Sequence, residues 1–429
     1  MVVQISPKLQ HRSKAQSSSP KNKRKGVTTD FRQLDLNLAS GGKRTGISPG
    51  RALTAIDLFC GAGGLSEGLR QSGFHVLAGN DFDGVAGETY TSTHPEAKFI
   101  AGPVQDVSAD KLLKLAGLTK GELNCLVGGP PCQAFSVYNH KRGMHDDRSQ
   151  LFQQYLRLVE GLNPSWIVME NVTGIMSAGQ GAAVHAILRG LREFGYHVES
   201  RILRAEEYGV PQERRRVVFL GNRTGEPIIW PMQTHGDGLI PFVTIKDAIG
   251  DLPALANGED LGAVKYISKA KGKYQEFIRT NSTSITNHSA PQLSSVNLKR
   301  MKFIPEGGSW RDIPFELLPE GMKKARRCDH TKRYGRMAWD GLSCTILTKC
   351  DVHWGAYIHP EQDRAISVRE AARLQSFPDS FHFLGSKTDQ YIQVGNAVPP
   401  LLGKAIGDAV VLAQSVESGR ANEKRRAAG

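Results

Sequence analysis

Apolar positions come in short runs, with helical stretches between them, from about residue 54 to residue 230. Residues 54–59, 74–78, 98–100, 123–127 and 166–169 each form a short, mostly apolar run, as strands buried on both faces do. Residues 65–71, 86–92, 150–162 and 182–194 read as helices between them. Residues 196–204 and 216–220 predict two further strands. Strands alternating with helices at this interval predict an α/β fold with a doubly wound, mostly parallel sheet. After Trp230 the alternation fails. Residues 231–340 are rich in Gly, Pro, Ser, Asn and Lys and predict a second, smaller, irregular domain. Regularity then returns, with a helix over 367–377 and, after a Pro-rich approach, another within 395–412. The expected organisation is an arm over 1–50, a sheet domain over 51–230 that resumes over 341–415, the irregular domain between, and a polar tail over 416–429.

Two turns stand out. The first strand runs into Phe59-Cys60-Gly61-Ala62-Gly63-Gly64, followed by a helix. Glycines at such a turn let a ligand approach the backbone and the helix N-terminus closely. Asp81 closes the next strand, where an acidic side chain can take a ribose hydroxyl pair. The full G-x-G-x-x-G fingerprint is absent, because Ser66 stands at its third glycine. S-adenosylmethionine, which has no pyrophosphate, fits this turn, and Phe82 could stack on its adenine. A nicotinamide or flavin, or no ligand at all, stays open on this motif alone. The second turn, Gly128-Gly129-Pro130-Pro131-Cys132, stops regular structure abruptly after a buried strand. It presents the Cys132 thiol at a strand's mouth, although most single cysteines are small buried hydrophobes.

Charge adds a partner class. The net charge is +13. Residues 1–50 hold ten Lys and Arg against Asp30 and Asp35 and have no sustained periodicity. They read either as a disordered arm touching nucleic acid without specificity or as a dispensable tail. No apolar run approaches the roughly 20 residues of a membrane span, and the N-terminus lacks the apolar core of a signal peptide. Both point to an intracellular protein with reduced thiols. Cys328, His330, Cys344, Cys350 and His353 crowd one region, but their spacing matches no common zinc site, so no metal is expected.

In a doubly wound sheet ligands collect beyond the carboxyl ends of the strands. Gly61–Gly64, Asp81, Cys132 and Glu170 all fall at such ends. Gln212-Glu213-Arg214-Arg215-Arg216 leads into a buried strand, so alternation aims Arg214 and Arg216 the same way, toward an anion or a carbonyl.

These residues resemble the DNA (cytosine-5) methyltransferases. Asp57–Gly64 is similar to that family's first motif, Gly129–Ser136 to its nucleophile motif, Glu170-Asn171-Val172 to its acidic motif, and Gln212-x-Arg214-x-Arg216 to its basic motif. Arg369-Glu370-Ala371-Ala372-Arg373-Leu374-Gln375-Ser376-Phe377-Pro378 resembles its recognition-domain support helix, and Gly395-Asn396-Ala397-Val398-Pro399-Pro400 its last motif. The resemblance spans about residues 54–412, apart from 231–340.

It implies a Rossmann-like class I S-adenosylmethionine-dependent methyltransferase fold, with 231–340 as the target-recognition domain. It implies catalysis by Cys132, Glu170, Arg214 and Arg216, with Cys132 adding to carbon 6 of a flipped-out cytosine. Cofactor contacts would come from Phe59, Gly61, Gly63, Gly64, Leu65, Asp81, Phe82, Pro130, Asn396, Ala397 and Val398. Asp106 is the candidate at the adenine amine, although the stretch Gly102–Val107 departs from the family's Gly-Asp-Ile. DNA contacts would come from Gln133, Ser136, Arg148 and Gln212, and residues 137–148 would close over DNA as a lid. Lys265, Lys269, Lys271, Lys273, Arg279, Lys299, Arg300, Arg326 and Arg327 are further DNA-facing candidates. The expected protein is a monomer acting on double-stranded DNA in a prokaryotic cytoplasm, associated with the nucleoid, with a restriction endonuclease of the same site as a candidate partner. A tRNA cytosine-5 methyltransferase and a non-catalytic DNA-binding paralogue are the rival readings. The Cys-Phe-Thr signature of the former is not found, and the latter would be expected to lack the thiol or the Glu.

Overall fold

A computed structural model describes residues 52–131 and 151–428. Cys132, Gln133, Ser136, Arg148, the expected lid and the basic arm lie outside the described residues. The strands are β1 (Thr54–Leu58), β2 (His75–Asp81), β3 (Lys98–Ala101), β4 (Cys125–Gly128), β5 (Trp166–Val172), β6 (His197–Arg204) and β7 (Arg215–Asn222). They form one sheet in the order β3-β2-β1-β4-β5-β7-β6. The first five pair in parallel, while β7 is antiparallel to both β5 and β6. The sheet is mostly parallel, as the alternating pattern predicts. From β1 the chain winds outward one way to β2 and β3, then returns to place β4 on the other side. The crevice of such a sheet opens at this reversal, beyond the ends of β1 and β4.

Both faces are covered, which is why the strands read as unbroken apolar runs. In β4, Leu126 packs on one side and Cys125 and Val127 on the other. Helices α1 (Gly64–Gln71) and α2 (Gly84–Thr93) share one face with the long helix Pro400–Ala428. Helices α3 (Ala109–Ala116), α4 (Leu151–Leu162) and α5 (Ala182–Glu193) cover the other. Helix α3 was not expected from the apolar pattern, though its signals are local: Ser108 Oγ caps the Lys111 amide, and Gly117 ends it in the left-handed region. The helix Lys387–Asn396, with a Ser386–Asp389 capping box, was also not expected.

A third apolar cluster joins residues of the 245–352 stretch to Ile366, Val368, Leu374, Phe377 and Phe383. Its elements are short helices such as Ile245–Ile249 and Ser295–Met301, plus a two-strand pair, Val264–Lys265 with Ser284–Ile285. The helix Val368–Leu374 ties it together with buried charge. Arg373 Nη1 lies 2.6 Å from Asp251 Oδ1, and its Nη2 lies 2.6 Å from Asp379 Oδ2. Arg364 grips Glu370 at 2.7 Å, with both side chains buried. Arg279 also pairs with Asp251 and stacks over Tyr266. Arg300 donates to the Leu317 carbonyl and to Asn297. Expected to face DNA, these two arginines instead hold the fold. No helix among the described residues is long and apolar enough to cross a membrane.

Candidate active site

The turn after β1 is built around backbone that only a special local structure tolerates. Phe59 (φ 58°), Gly61 (φ 51°) and Gly63 (φ 100°) all lie in the left-handed region. Asp81 fixes the turn from the end of β2: its Oδ2 accepts from the Gly61 amide at 2.7 Å and its Oδ1 from the Asp83 amide at 3.0 Å. Burial raises the Asp81 carboxyl above the usual carboxylate range, against the pull of these amides. A Cβ on Gly61 would meet nothing within 4 Å, so the turn faces open space there. Gly63 and Gly64 differ. A Cβ on Gly63 would lie 2.5 Å from the His94 ring, and one on Gly64 would lie 2.3 Å from the Val398 carbonyl. They permit close packing and do not line the cleft.

That cleft measures about 1220 Å³. Of the expected cofactor residues, Phe59, Gly61, Leu65, Asp81, Phe82, Pro130, Asn396, Ala397 and Val398 line it. Asp106 does not: it sits exposed at the end of a single helical turn, Val104–Asp106. The wider spacing between Gly102 and Asp106 carries the carboxylate away from the cleft.

Beyond β4, Asn171 holds the Pro-Pro turn, its Nδ2 donating to the Pro130 carbonyl at 3.0 Å. This positions the approach to Cys132, a role for Asn171 that sequence reasoning did not assign. Glu170 and Arg216 meet across the β5–β7 pair, where Val172 lies opposite Arg216. Arg216 Nε is 2.7 Å from Glu170 Oε1. Glu170 Oε2 lies toward the turn, 3.1 Å from where a Cβ on Gly129 would be. Burial pulls Arg216 below the usual guanidinium range, and the adjacent carboxylate opposes that.

Arg214 and Gln212 differ from expectation. Arg214 is 1% exposed, and its guanidinium donates to the carbonyls of Ile346, Gly395 and Ala397, the last at 2.8 Å. It clasps the returning chain to the sheet. Gln212, expected on DNA, is 0% exposed. Its amide donates to Leu374 O and Gln375 Oε1 and accepts from the Ile346 amide. A side chain with every polar atom satisfied inside the protein has none to offer DNA.

Asp57 also lines the cleft, buried beside Ser66 Oγ at 2.7 Å. Burial pushes its carboxyl up to about 7, the Ser66 hydrogen bond opposing and Asp81 adding to the rise. Sequence reasoning gave Asp57 no role of its own. His330, Lys332 and Arg333 of the irregular stretch and Trp354 of the returning chain also line the cleft. Cys328 is exposed and Cys350 buried, and among the described residues no group of three or more His, Cys, Asp or Glu could hold a metal ion.

A mostly parallel seven-stranded sheet with its cleft at the reversal, a Gly turn against an acidic strand end and an exposed aromatic defines a class I S-adenosylmethionine-dependent methyltransferase fold. The chain belongs to the C-5 cytosine-specific DNA methylase family, whose model matches residues 53–411, and is thus a DNA (cytosine-5) methyltransferase. It is 34% identical to Type II methyltransferase M.AgeI of Thalassovita gelatinovora over 430 residues, covering 85% of this chain and 100% of that protein. To Type II methyltransferase M1.HphI of Haemophilus parahaemolyticus the identity is 35%, covering 84% and 87% respectively. A crystal structure of a prophage-encoded Escherichia coli protein named as a DNA modification methyltransferase superposes with a TM-score of 0.68 at 24% identity. It covers 85% of this chain and 100% of that one and shares the fold.

Proposed function

We propose that the enzyme methylates carbon 5 of a flipped-out cytosine in a specific duplex DNA sequence, through a covalent Cys132 adduct at carbon 6. The observation that carries this is the Glu170–Arg216 pair beside the Asn171-braced turn that leads into Cys132. Carbon 5 of cytosine is a poor nucleophile until a thiolate adds at carbon 6, and cysteine both adds and leaves well. Addition sends charge to the ring nitrogen N3. Glu170 Oε2 is the oxygen that carries a proton to N3, while Arg216 holds Oε1 and so fixes the carboxyl plane. Once carbon 5 is methylated, a base takes its proton, the carbon 5–carbon 6 double bond re-forms as the carbon–sulfur bond breaks and releases the Cys132 thiolate, and N3 returns its proton to Glu170.

The residues fit S-adenosylmethionine, whose family-implied role is to supply an electrophilic methyl. Asp81 suits a ribose and the 74%-exposed Phe82 an adenine face, while Gly61 leaves room at the turn. Arg214 positions Ala397 and, through it, the Asn396–Val398 wall. A base inside a duplex is out of reach of such a cleft and must be extruded. Residues 231–340 form the target-recognition domain in this reading. The Type II names of the relatives support a modification role beside a restriction endonuclease of the same site.

Methyl transfer with tritiated cofactor, on duplex DNA and on tRNA, tests the reading. Label should enter DNA only, and Cys132→Ala should abolish it. Label in tRNA alone, or turnover by the variant, would overturn it.

A further inference from the structure

We propose that Arg333 is a specificity-determining residue, its guanidinium laid against Trp354 to read a guanine in the DNA beside the target cytosine. The inference rests on the duplex-DNA reading above. Three arginines among the described residues line the cleft: Arg214, Arg216 and Arg333. The first donates to carbonyls of the returning chain, and the second is held by Glu170. Neither has its donor fork free for DNA. Arg333 does: among the described residues no carboxylate lies within ion-pair distance of it and no hydrogen bond uses its guanidinium.

What holds Arg333 is an aromatic face. Its Cζ lies 4.6 Å from the Trp354 ring centroid. Trp354 is 62% exposed on the cleft wall, a large apolar side chain that the core leaves uncovered. A guanidinium over an indole is attracted to the ring and confined to a plane, which lowers the ordering cost of a two-pronged contact. The backbone beneath is fixed as well. The Arg333 amide donates to His330 O at 3.0 Å, and its carbonyl accepts from the Trp310 amide at 3.0 Å. His330 (φ 52°) and Tyr334 (φ 47°) both lie in the left-handed region, which costs energy in non-glycine residues. A strained turn therefore presents to the cleft a pre-oriented guanidinium that is unpaired among the described residues. A phosphate contact needs only a charge, whereas this fixed planar fork matches O6 and N7 of guanine in the major groove.

Bisulfite sequencing of DNA methylated by the wild type defines the site. kcat/KM is then measured on duplexes with each guanine of that site replaced in turn by adenine, for the wild type, R333A, R333K, W354A and W354F. At one guanine, R333A should lower cognate kcat/KM by about 5- to 150-fold and lose its preference for guanine over adenine. W354A should do the same, W354F should retain discrimination, and R333K should not restore it. Cofactor affinity and thermal unfolding should be unchanged. Unaltered discrimination in both R333A and W354A, rescue by R333K, or uniform weakening on every duplex would overturn the proposal. A wild type that methylates no DNA would instead overturn the duplex-DNA reading itself.

Discussion

Arg216 Nε and Glu170 Oε1 lie 2.7 Å apart, joining the antiparallel strand β7 to the carboxyl end of the parallel strand β5. The pair is largely buried, so removing either partner leaves a charge without water or a counter-ion. Glu170→Gln keeps the shape and an acceptor for Arg216 but removes the transferable proton. It should lower kcat by about 10²- to 10⁴-fold while cofactor affinity stays near the wild-type value. Single-turnover methyl transfer alongside calorimetric cofactor titration separates the two, and a full-rate E170Q would contradict the assigned role.

Asp57 gives a pH dependence with a defined sign. Its carboxyl is raised from an ordinary value of 3.8 to about 7, chiefly by burial. Below about pH 4 it is protonated in both folded and unfolded chains and has no effect. As pH rises toward 7 the unfolded chain ionises first, so stability is lost, by up to about 4 kcal/mol once the folded pKa is passed. Asp57→Asn removes this loss. Urea unfolding at pH 5 and pH 8 should show the variant's stability, relative to wild type, rising with pH. An equal difference at both pH values would refute it.

Arg214 acts on the site through backbone. Arg214→Ala frees the carbonyls of Ile346, Gly395 and Ala397 and should weaken cofactor binding about tenfold or more, each lost charged hydrogen bond being worth roughly 1.5–3 kcal/mol. Arg214→Lys should recover little, because one ammonium cannot span the three acceptors that the planar fork reaches. Equilibrium cofactor titration of both variants checks this, and full recovery by lysine would argue for charge alone.

Arg373 stands between two buried carboxylates, Asp251 and Asp379. Arg373→Ala removes the cation that both acids share, leaving Asp251 to Arg279 and Asp379 to Arg369 and Tyr266, and should destabilise the protein by about 3 kcal/mol, the lower end for a broken buried pair. Denaturant unfolding of R373A measures this, and a loss under 1 kcal/mol would show that the network contributes little.

Much of this was legible locally. The five parallel strands are readable from apolar runs, because a sheet covered on both faces needs nothing else from sequence. The Gly turn, Asp81 and Glu170 could be placed on one edge because a switch from apolar to polar or glycine residues marks each strand end. The errors are long-range. Gln212 looks like a surface amide until Leu374, Gln375 and Ile346 arrive from more than 130 residues away to saturate it. Arg279 and Arg300 look solvated until Asp251 and the Leu317 carbonyl claim them. Strand β5 continues through Glu170-Asn171-Val172 because β7 pairs with it there, and no local pattern announces that partner. Helix α3 is the reverse case: its cap and stop are both present in the sequence.

The central claim is a covalent bond between Cys132 and carbon 6 of the target cytosine, and its most direct test uses duplex DNA in which that cytosine is 5-fluorocytosine. After methyl transfer the fluorine cannot leave as a proton does, so the adduct should accumulate. With cofactor present, a denaturation-resistant protein–DNA complex should form, map to a peptide containing Cys132, and be absent in Cys132→Ala. No such complex, or one that survives the substitution, would contradict the account.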